Sequence, residues 1–347
     1  MAGGKRITLR QIAELTGTSI GTVERALKGR QGVKPSTQTR VLAVARELGY
    51  VPVPGAALAR KLAGVRLAII YPEQPIPFYL PMTAGINDAA NDLRATGLEV
   101  ELLRYPLHRQ EMEDAVLETL DAAAFQGVAI NVAGAGAGRH IDRITAMGVP
   151  VITFNTDLPG TRRRFFVGCD SAQSGRMGAA LLGRFLCGSG TVTVLGNYIR
   201  ETPFIERFGG FADTMQAEFP GIRIHPGAEC YAEKRLAAQA LMDVLHRVPD
   251  IRGVFCTGYT STMGAISALR QLGRRDVVLI GYDTSEELLA ALRDDWCDAL
   301  LFQDPYRQGY AAVTCLAQYV LEGRLPEERK ICTPTSIVIR QNADSYH

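Results

Sequence analysis

Amide and carboxylate side chains recur where apolar runs of this 347-residue chain stop. Asn131 follows Ala129-Ile130, and Asn155 ends V-P-V-I-T-F-N with Asp157 two residues on. Asp283 ends V-V-L-I-G-Y-D, and Gln303 follows Leu300-Leu301-Phe302. Each alone is explained by a turn or a helix cap, since Asn and Asp suit both. At the carboxyl ends of buried strands, where ligands of open parallel sheets bind, they jointly imply a cleft lined with hydrogen-bonding groups. Bond-making chemistry has no such support. There is no nucleophile elbow, no H-E-x-x-H and no P-loop, and His108, His140, His225, His246 and His347 show no pairing spacing. G-A-G-A-G at 134–138 lacks the context of a dinucleotide fingerprint. No catalytic residue, metal or cofactor is expected.

A second polar set lies near the N-terminus, in T-L-R-Q-I-A-E-L-T-G-T-S-I-G-T-V at 8–23. Thr8 and Gln11 fit a capping box at a helix start. Ile12, Ala13 and Leu15 then form an apolar stripe, and Gly17 makes a turn. Ser19 caps a second helix whose Val23, Ala26 and Leu27 face the first. This is the grammar of a helix-turn-helix, whose second helix puts its first residues against DNA base edges. A third helix is expected from about Pro35 to Leu48, ended by Gly49. V-P-V-P-G at 51–55 cannot be helical, whereas A-A-L-A-R-K-L-A-G after it can.

Charge is distributed accordingly. Residues 1–64 hold 11 Lys/Arg against three acids, a net +8, while the remaining 27 basic and 33 acidic residues give −6. A basic head on an acidic body is expected when one segment meets polyphosphate. No apolar run approaches the ~18 residues of a membrane span, and the basic N-terminus has no apolar signal core. The seven cysteines are scattered without C-x-x-C, so buried thiols in a reducing cytoplasm are expected.

From Val65 onward, apolar strands alternate with amphipathic helices. One run extends from V-R-L-A-I-I-Y to V-P-V-I-T-F-N and a second from T-V-T-V-L-G to V-V-L-I-G-Y-D. Alternation of this kind demands right-handed crossovers and parallel sheets covered on both faces. Two doubly wound α/β lobes behind an all-α head are expected.

The order T-L-R-Q-I-A, S-I-G-T-V-E-R-A-L, E-L-G-Y-V-P and A-L-A-R-K-L resembles the lac/gal repressor family of bacterial transcription regulators. The resemblance implies that Ser19, Ile20, Gly21, Thr22 and Arg25 occupy the DNA-reading helix, with Thr8, Lys28 and Lys34 on the same DNA-facing surface. It also implies that Leu62, late in a hinge helix, is wedged into the minor groove. Three features depart from the family: Gly21 replaces a longer side chain, Lys34 replaces a small hydroxyl cap, and residues around Val53-Pro54-Gly55 lengthen the linker.

The body is similar to the sugar-binding core shared by those repressors and type I periplasmic binding proteins, nearer the ribose type. P-F-Y at 77–79, V-P-V-I-T-F-N-T-D at 149–157, F-V-G-C-D-S-A-Q-S-G-R at 166–176, L-I-G-Y-D at 279–283 and F-Q-D-P-Y-R-Q-G at 302–309 carry the likeness. It implies Phe78 and Tyr79 as stackers on a sugar face, and Asn155, Asp283 and Gln303 as hydroxyl partners. Asp170-Ser171 would sit at the first crossover between lobes. Asn131, Asp157, Asp170 and Tyr259 complete the expected ligand set. Ile205 stands where the family has a ligand-binding arginine, and Gly258 where it has an asparagine. Arg162-Arg163-Arg164 could reach an anionic ligand, but read first as a solvated or lobe-interface loop.

The expected organisation is a helix-turn-helix head at 1–49, a linker and hinge helix at 50–64, and an effector-binding, dimerising body at 65–347. The first lobe would span about 65–167 and 304–331, and the second about 168–303 and 332–347. The expected function is a cytoplasmic, homodimeric regulator, a repressor on a pseudo-palindromic operator, controlled by a sugar or polyol. The alternative is a sugar receptor of a transport system.

Overall fold

The computed structural model describes residues 8–27, 32–47, 50, 64–73, 76–94, 96–106, 110–198, 201–326 and 328–346. Lys28, Leu62 and the expected hinge helix lie outside them.

Three helices build the head: α1 (Leu9–Thr16), α2 (Ile20–Leu27) and α3 (Pro35–Glu47). Thr8 Oγ1 accepts from the Gln11 N–H at 3.3 Å, and Gln11 Oε1 accepts from the Thr8 N–H at 2.8 Å, so the capping box is formed. Gly17 ends α1 at φ +60°, a left-handed conformation that suits glycine. Ile12, Ala13, Val23, Ala26, Val41 and Ala45 are buried together. Leu15 is not among them; it is 64% exposed. Thr16 occupies the inward position instead, four residues after Ile12, and its hydroxyl is satisfied by the Ile12 carbonyl at 2.6 Å.

The body contains two six-stranded sheets. In the first, β11 (Lys330–Thr333), β5 (Phe166–Cys169), β4 (Val151–Phe154), β3 (Gly127–Ile130), β1 (Arg66–Glu73) and β2 (Glu99–Pro106) lie side by side in that order, all parallel. The second runs β12 (Ser336–Val338), β10 (Ala299–Phe302), β9 (Val278–Tyr282), β8 (Ile251–Cys256), β6 (Gly190–Gly196) and β7 (Ile222–Glu229). There only the edge pair β10–β12 is antiparallel. Leu67, Ala68, Ile69 and Ile70 of β1 are all fully buried, as a central parallel strand covered on both faces must be.

The chain passes between the sheets three times: after Cys169, after Phe302 and after Thr333. β5 and β11 thus carry the first sheet two residues beyond the boundaries expected from sequence. Two of the passages are fixed by helix caps. Asp170 opens α7 (Ser171–Phe185) by accepting from the Gln173 N–H at 2.7 Å. Asp304 opens α12 (Pro305–Glu322) by accepting from the Arg307 N–H at 3.1 Å, with Pro305 at the first helical position.

Backbone contact sets the helix layers. Against the first sheet, α4 (Tyr79–Arg94) lies on α12, where a methyl at Gly85 would meet the Tyr306 carbonyl. Against the second, α7 lies on α8 (Thr202–Glu218), where Gly175 faces the Arg207 carbonyl and Gly210 the Ala172 carbonyl. Only glycine permits such approach. Among the described residues, no helix is long and apolar enough to cross a membrane.

Candidate functional site

Between the carboxyl ends of the two sheets lies a cavity of about 190 Å³. From the first sheet's side come Phe78 and Tyr79 at the start of α4, and Asn155 after β4. The rings of Phe78 and Tyr79 meet edge to face, 5.1 Å between centroids. From the second come Asn197 after β6, Glu201 and Arg207 at α8, Thr257 and Gly258 after β8, Tyr259, Asp283 after β9 and Gln303 after β10.

Local backbone geometry aims two of these groups. Asn155 and Asp283 adopt φ of +58° and +67°. Among L-residues, Asn and Asp tolerate this left-handed region best, which turns a side chain out of the strand's alternation.

A buried network floors the cavity. Gln303 donates from Nε2 to Asp283 Oδ1 at 2.7 Å, and its Oε1 accepts from Arg207 Nη2 at 2.6 Å and from the Cys169 thiol at 3.2 Å. Arg207 also donates from Nη1 to the Thr257 carbonyl at 2.6 Å, and its guanidinium lies 4.4 Å over the Tyr282 ring. Burial pushes the Asp283 carboxyl up to about 6. It pushes Glu201 up to about 7, against the partial relief of Arg207 and with repulsion from Glu229 adding to the rise. A cavity with fixed amides, two carboxyl groups and aromatic edges suits a small polar molecule rich in hydrogen-bonding groups.

Of the residues expected to bind ligand, Phe78, Tyr79, Asn155, Tyr259, Asp283 and Gln303 line the cavity. Asn131 stands one layer behind, accepting from Asn155 Nδ2 at 3.3 Å. Asp157 and Asp170 do not reach it. Asp157 is consumed by the Arg163 guanidinium, which binds both its oxygens, and by Thr153 Oγ1 at 2.7 Å. Asp170 caps α7.

Both expected gaps in the polar lining also need correction. Ile205 is 56% exposed and outside the cavity, whose arginine is Arg207. At Gly258, a Cβ would come within 2.9 Å of Asn197 Nδ2, so an asparagine amide fills the space from β6 instead. Asn197 follows T-V-T-V-L-G just as Asn155 follows its own strand, and the same strand-end rule finds it. Glu201 and Arg207 have no comparable signal, because both belong to a helix and its cap.

In the head, Ser19, Ile20, Gly21, Thr22 and Arg25 lie at or in the first turns of α2, all exposed or half-buried. Ser19 Oγ accepts from the Thr22 N–H at 3.2 Å, and Arg25 Nε donates to the Gly21 carbonyl at 3.1 Å. An exposed apolar Ile20, 47% accessible, stands beside these polar groups. Lys34 is exposed just before α3.

A helix-turn-helix ahead of two parallel-sheet lobes around a polar cavity defines a ligand-binding, DNA-binding regulator. Residues 8–53 match the family of bacterial regulatory proteins of the lacI type, and residues 67–324 match the periplasmic binding protein domain. The chain is 30% identical over 284 residues to the maltose regulon regulatory protein MalI of Escherichia coli K12, covering 79% of this chain and 78% of that one. It belongs to the lacI family of transcription regulators. It is also 23% identical to the ribose import binding protein RbsB of Bacillus subtilis, over 72% of this chain and 79% of that protein. In fold it is similar to GanP, a glucose-galactose binding protein from Geobacillus stearothermophilus, with TM-score 0.75 and 24% identity over 80% of this chain and 98% of that one.

Proposed function

We propose that this protein is a cytoplasmic, homodimeric repressor of a carbohydrate or polyol operon, and that a sugar-like molecule in the cavity sets its hold on the operator. The observation that carries this reading is the joining of a DNA-reading head to a cavity whose floor is the Asp283–Gln303–Arg207 network. Hydroxyls both donate and accept, and such a floor can satisfy them without water. The named properties of the relatives point the same way: a maltose regulon regulator and a ribose import binding protein.

The protein acts by binding rather than by catalysis. Two heads related by two-fold symmetry would read two half-sites together, which explains how a short α2 gains affinity. Ligand would act by stabilising one arrangement of the lobes over another. Phe78 and Tyr79 would cover the ring, with Asn155, Asp283 and Gln303 on its hydroxyls.

The test is retardation of a duplex containing the regulator's own upstream region, with the full chain, across a panel of sugars and polyols. The expected result is a discrete complex whose stability changes with one ligand class. A chain that binds no DNA, or whose complex ignores every sugar and polyol, overturns the reading.

A further inference from the structure

The cavity is unbalanced in charge. Glu201 and Asp283 both face it, while its one cation among the described residues, Arg207, is already committed through both terminal nitrogens to the Thr257 carbonyl and Gln303. Asp283 has its own donor in Gln303. Glu201 has none: it stands at the N-cap of α8 without making a side-chain cap bond, and no described residue donates to its carboxylate. Its other titratable neighbours among the described residues, Glu229, Tyr79, Tyr105 and Tyr198, bring no positive charge. Glu201 is half-buried, and a ligand closing over it would withdraw its carboxylate further from water, which is costly unless that ligand supplies the missing partner.

We propose that the cavity takes a polyol bearing a protonated amine, an amino sugar or aminocyclitol, with its ammonium against Glu201 and its hydroxyls on Asn155, Asn197 and Asp283. The inference rests on the reading of this cavity as the effector site. A neutral hydroxyl could satisfy one oxygen of Glu201 but would add no positive charge to the partial relief that Arg207 gives it. A sugar acid or sugar phosphate would bring a further anion where the only guanidinium among the described lining residues is occupied. The aromatic lining favours the same choice. Tyr79, Tyr198, Phe204 and Tyr259 surround the cavity, and aromatic faces attract cations. Glu201 is then the residue that determines specificity.

The experiment is calorimetry of the full chain at neutral pH with glucosamine, galactosamine, mannosamine and an aminocyclitol. Each is measured against its neutral parent, with the N-acetyl form of the amino sugars and with gluconate and glucose 6-phosphate as anionic arms. At least one amine should bind about ten-fold or more tightly than its neutral counterparts, and the anions should bind most weakly. E201Q should collapse that preference, and E201D should retain part of it, with thermal unfolding of each variant as a folding control. Neutral parents binding as tightly as the amines throughout, or a preference that survives in E201Q, overturns the inference. If neutral sugars bind and alter the DNA complex without any gain from an amine, only this inference falls. If no polyol, charged or neutral, binds or alters that complex, the proposed function falls with it.

Discussion

The Cys169 thiol, at the end of β5 in the first sheet, donates to Gln303 Oε1, after β10 in the second, at 3.2 Å. Both residues sit where the chain passes from one sheet to the other. The floor of the cavity is therefore hydrogen-bonded to the passage itself, so a ligand that draws on Gln303 also loads the segment about which the lobes would move.

Asp283 and Asn155 should be the groups on which ligand response depends. Asp283→Ala removes the acceptor of Gln303 Nε2 and leaves that amide buried without a partner. Ligand affinity should fall by about 1–3 kcal/mol for each variant, the cost of an unmade buried hydrogen bond. Calorimetry reads it directly, and unaltered affinity in both variants would show that the hydroxyl partners lie elsewhere.

DNA binding should reside in the head and be steeply sensitive to salt. The net +8 of residues 1–64 is the motive, and contact with about six phosphates would cost orders of magnitude in affinity between low and moderate salt. Arg25→Ala should weaken binding, and changes at Ile20 or Thr22 should alter base preference by roughly 1–3 kcal/mol per contact. A fragment of residues 65–347 that retains the DNA complex contradicts the assignment.

Stability of the ligand-free protein should carry an acid-favouring component. Burial raises Glu113 and Glu201 to about 7 and Asp283 to about 6, whereas unfolded carboxyls titrate near 4. Between those values the folded chain holds protons that the unfolded chain has released. This contribution therefore shrinks as pH rises from about 4 to 7 and is constant above. Glu113 sits fully buried on α5 (Gln110–Thr119), accepting from the Ala133 N–H at 2.9 Å. Glu113→Gln should remove a share on the order of 1–3 kcal/mol from the difference between pH 5 and pH 8. Denaturant titrations of both proteins at the two values measure it, and parallel pH profiles would refute it.

Gly175→Ala tests how Arg207 is held. A methyl there collides with the Arg207 carbonyl, so α7 and α8 must part. Overpacking of this kind costs about 1–3 kcal/mol, and the guanidinium should leave Gln303 as its helix shifts. Thermal unfolding and calorimetry together report it. Loss of stability with intact ligand affinity would separate the packing from the site.

The lobes were legible because their signal is long-range periodicity: buried strands read as apolar runs and helices as stripes. Ends were less so. β7 continues through Pro226-Gly227 to Glu229, although such a pair reads as a strand stop, because β7 is an edge strand and proline is tolerated there. α10 (Tyr259–Leu272) begins directly after Gly258, with the polar Tyr259-Thr260-Ser261-Thr262 as its first turn. Within the cavity, strand-end amides and acids were visible as types, but their allegiances were not. Asp157 looks identical to Asp283 in sequence; only the fold brings Arg163 to one and the cavity to the other. Arg207 was hidden for the complementary reason, since a helical cation two residues from an expected one carries no mark of burial.

The sheet order also governs how this protein can be made. β11, at residues 330–333, pairs with β5 at 166–169, and Tyr306 and Tyr310 on α12 each bond to an aspartate 218 residues earlier on α4. A nascent chain that has already delivered all of β1 to β5 must therefore hold their apolar faces incompletely covered until α12 and β11 have left the ribosome. The second sheet waits likewise for β12 at 336–338. Both lobes are thus completed by the same stretch, residues 305–338, and a chain interrupted before it exposes apolar faces of both sheets at once.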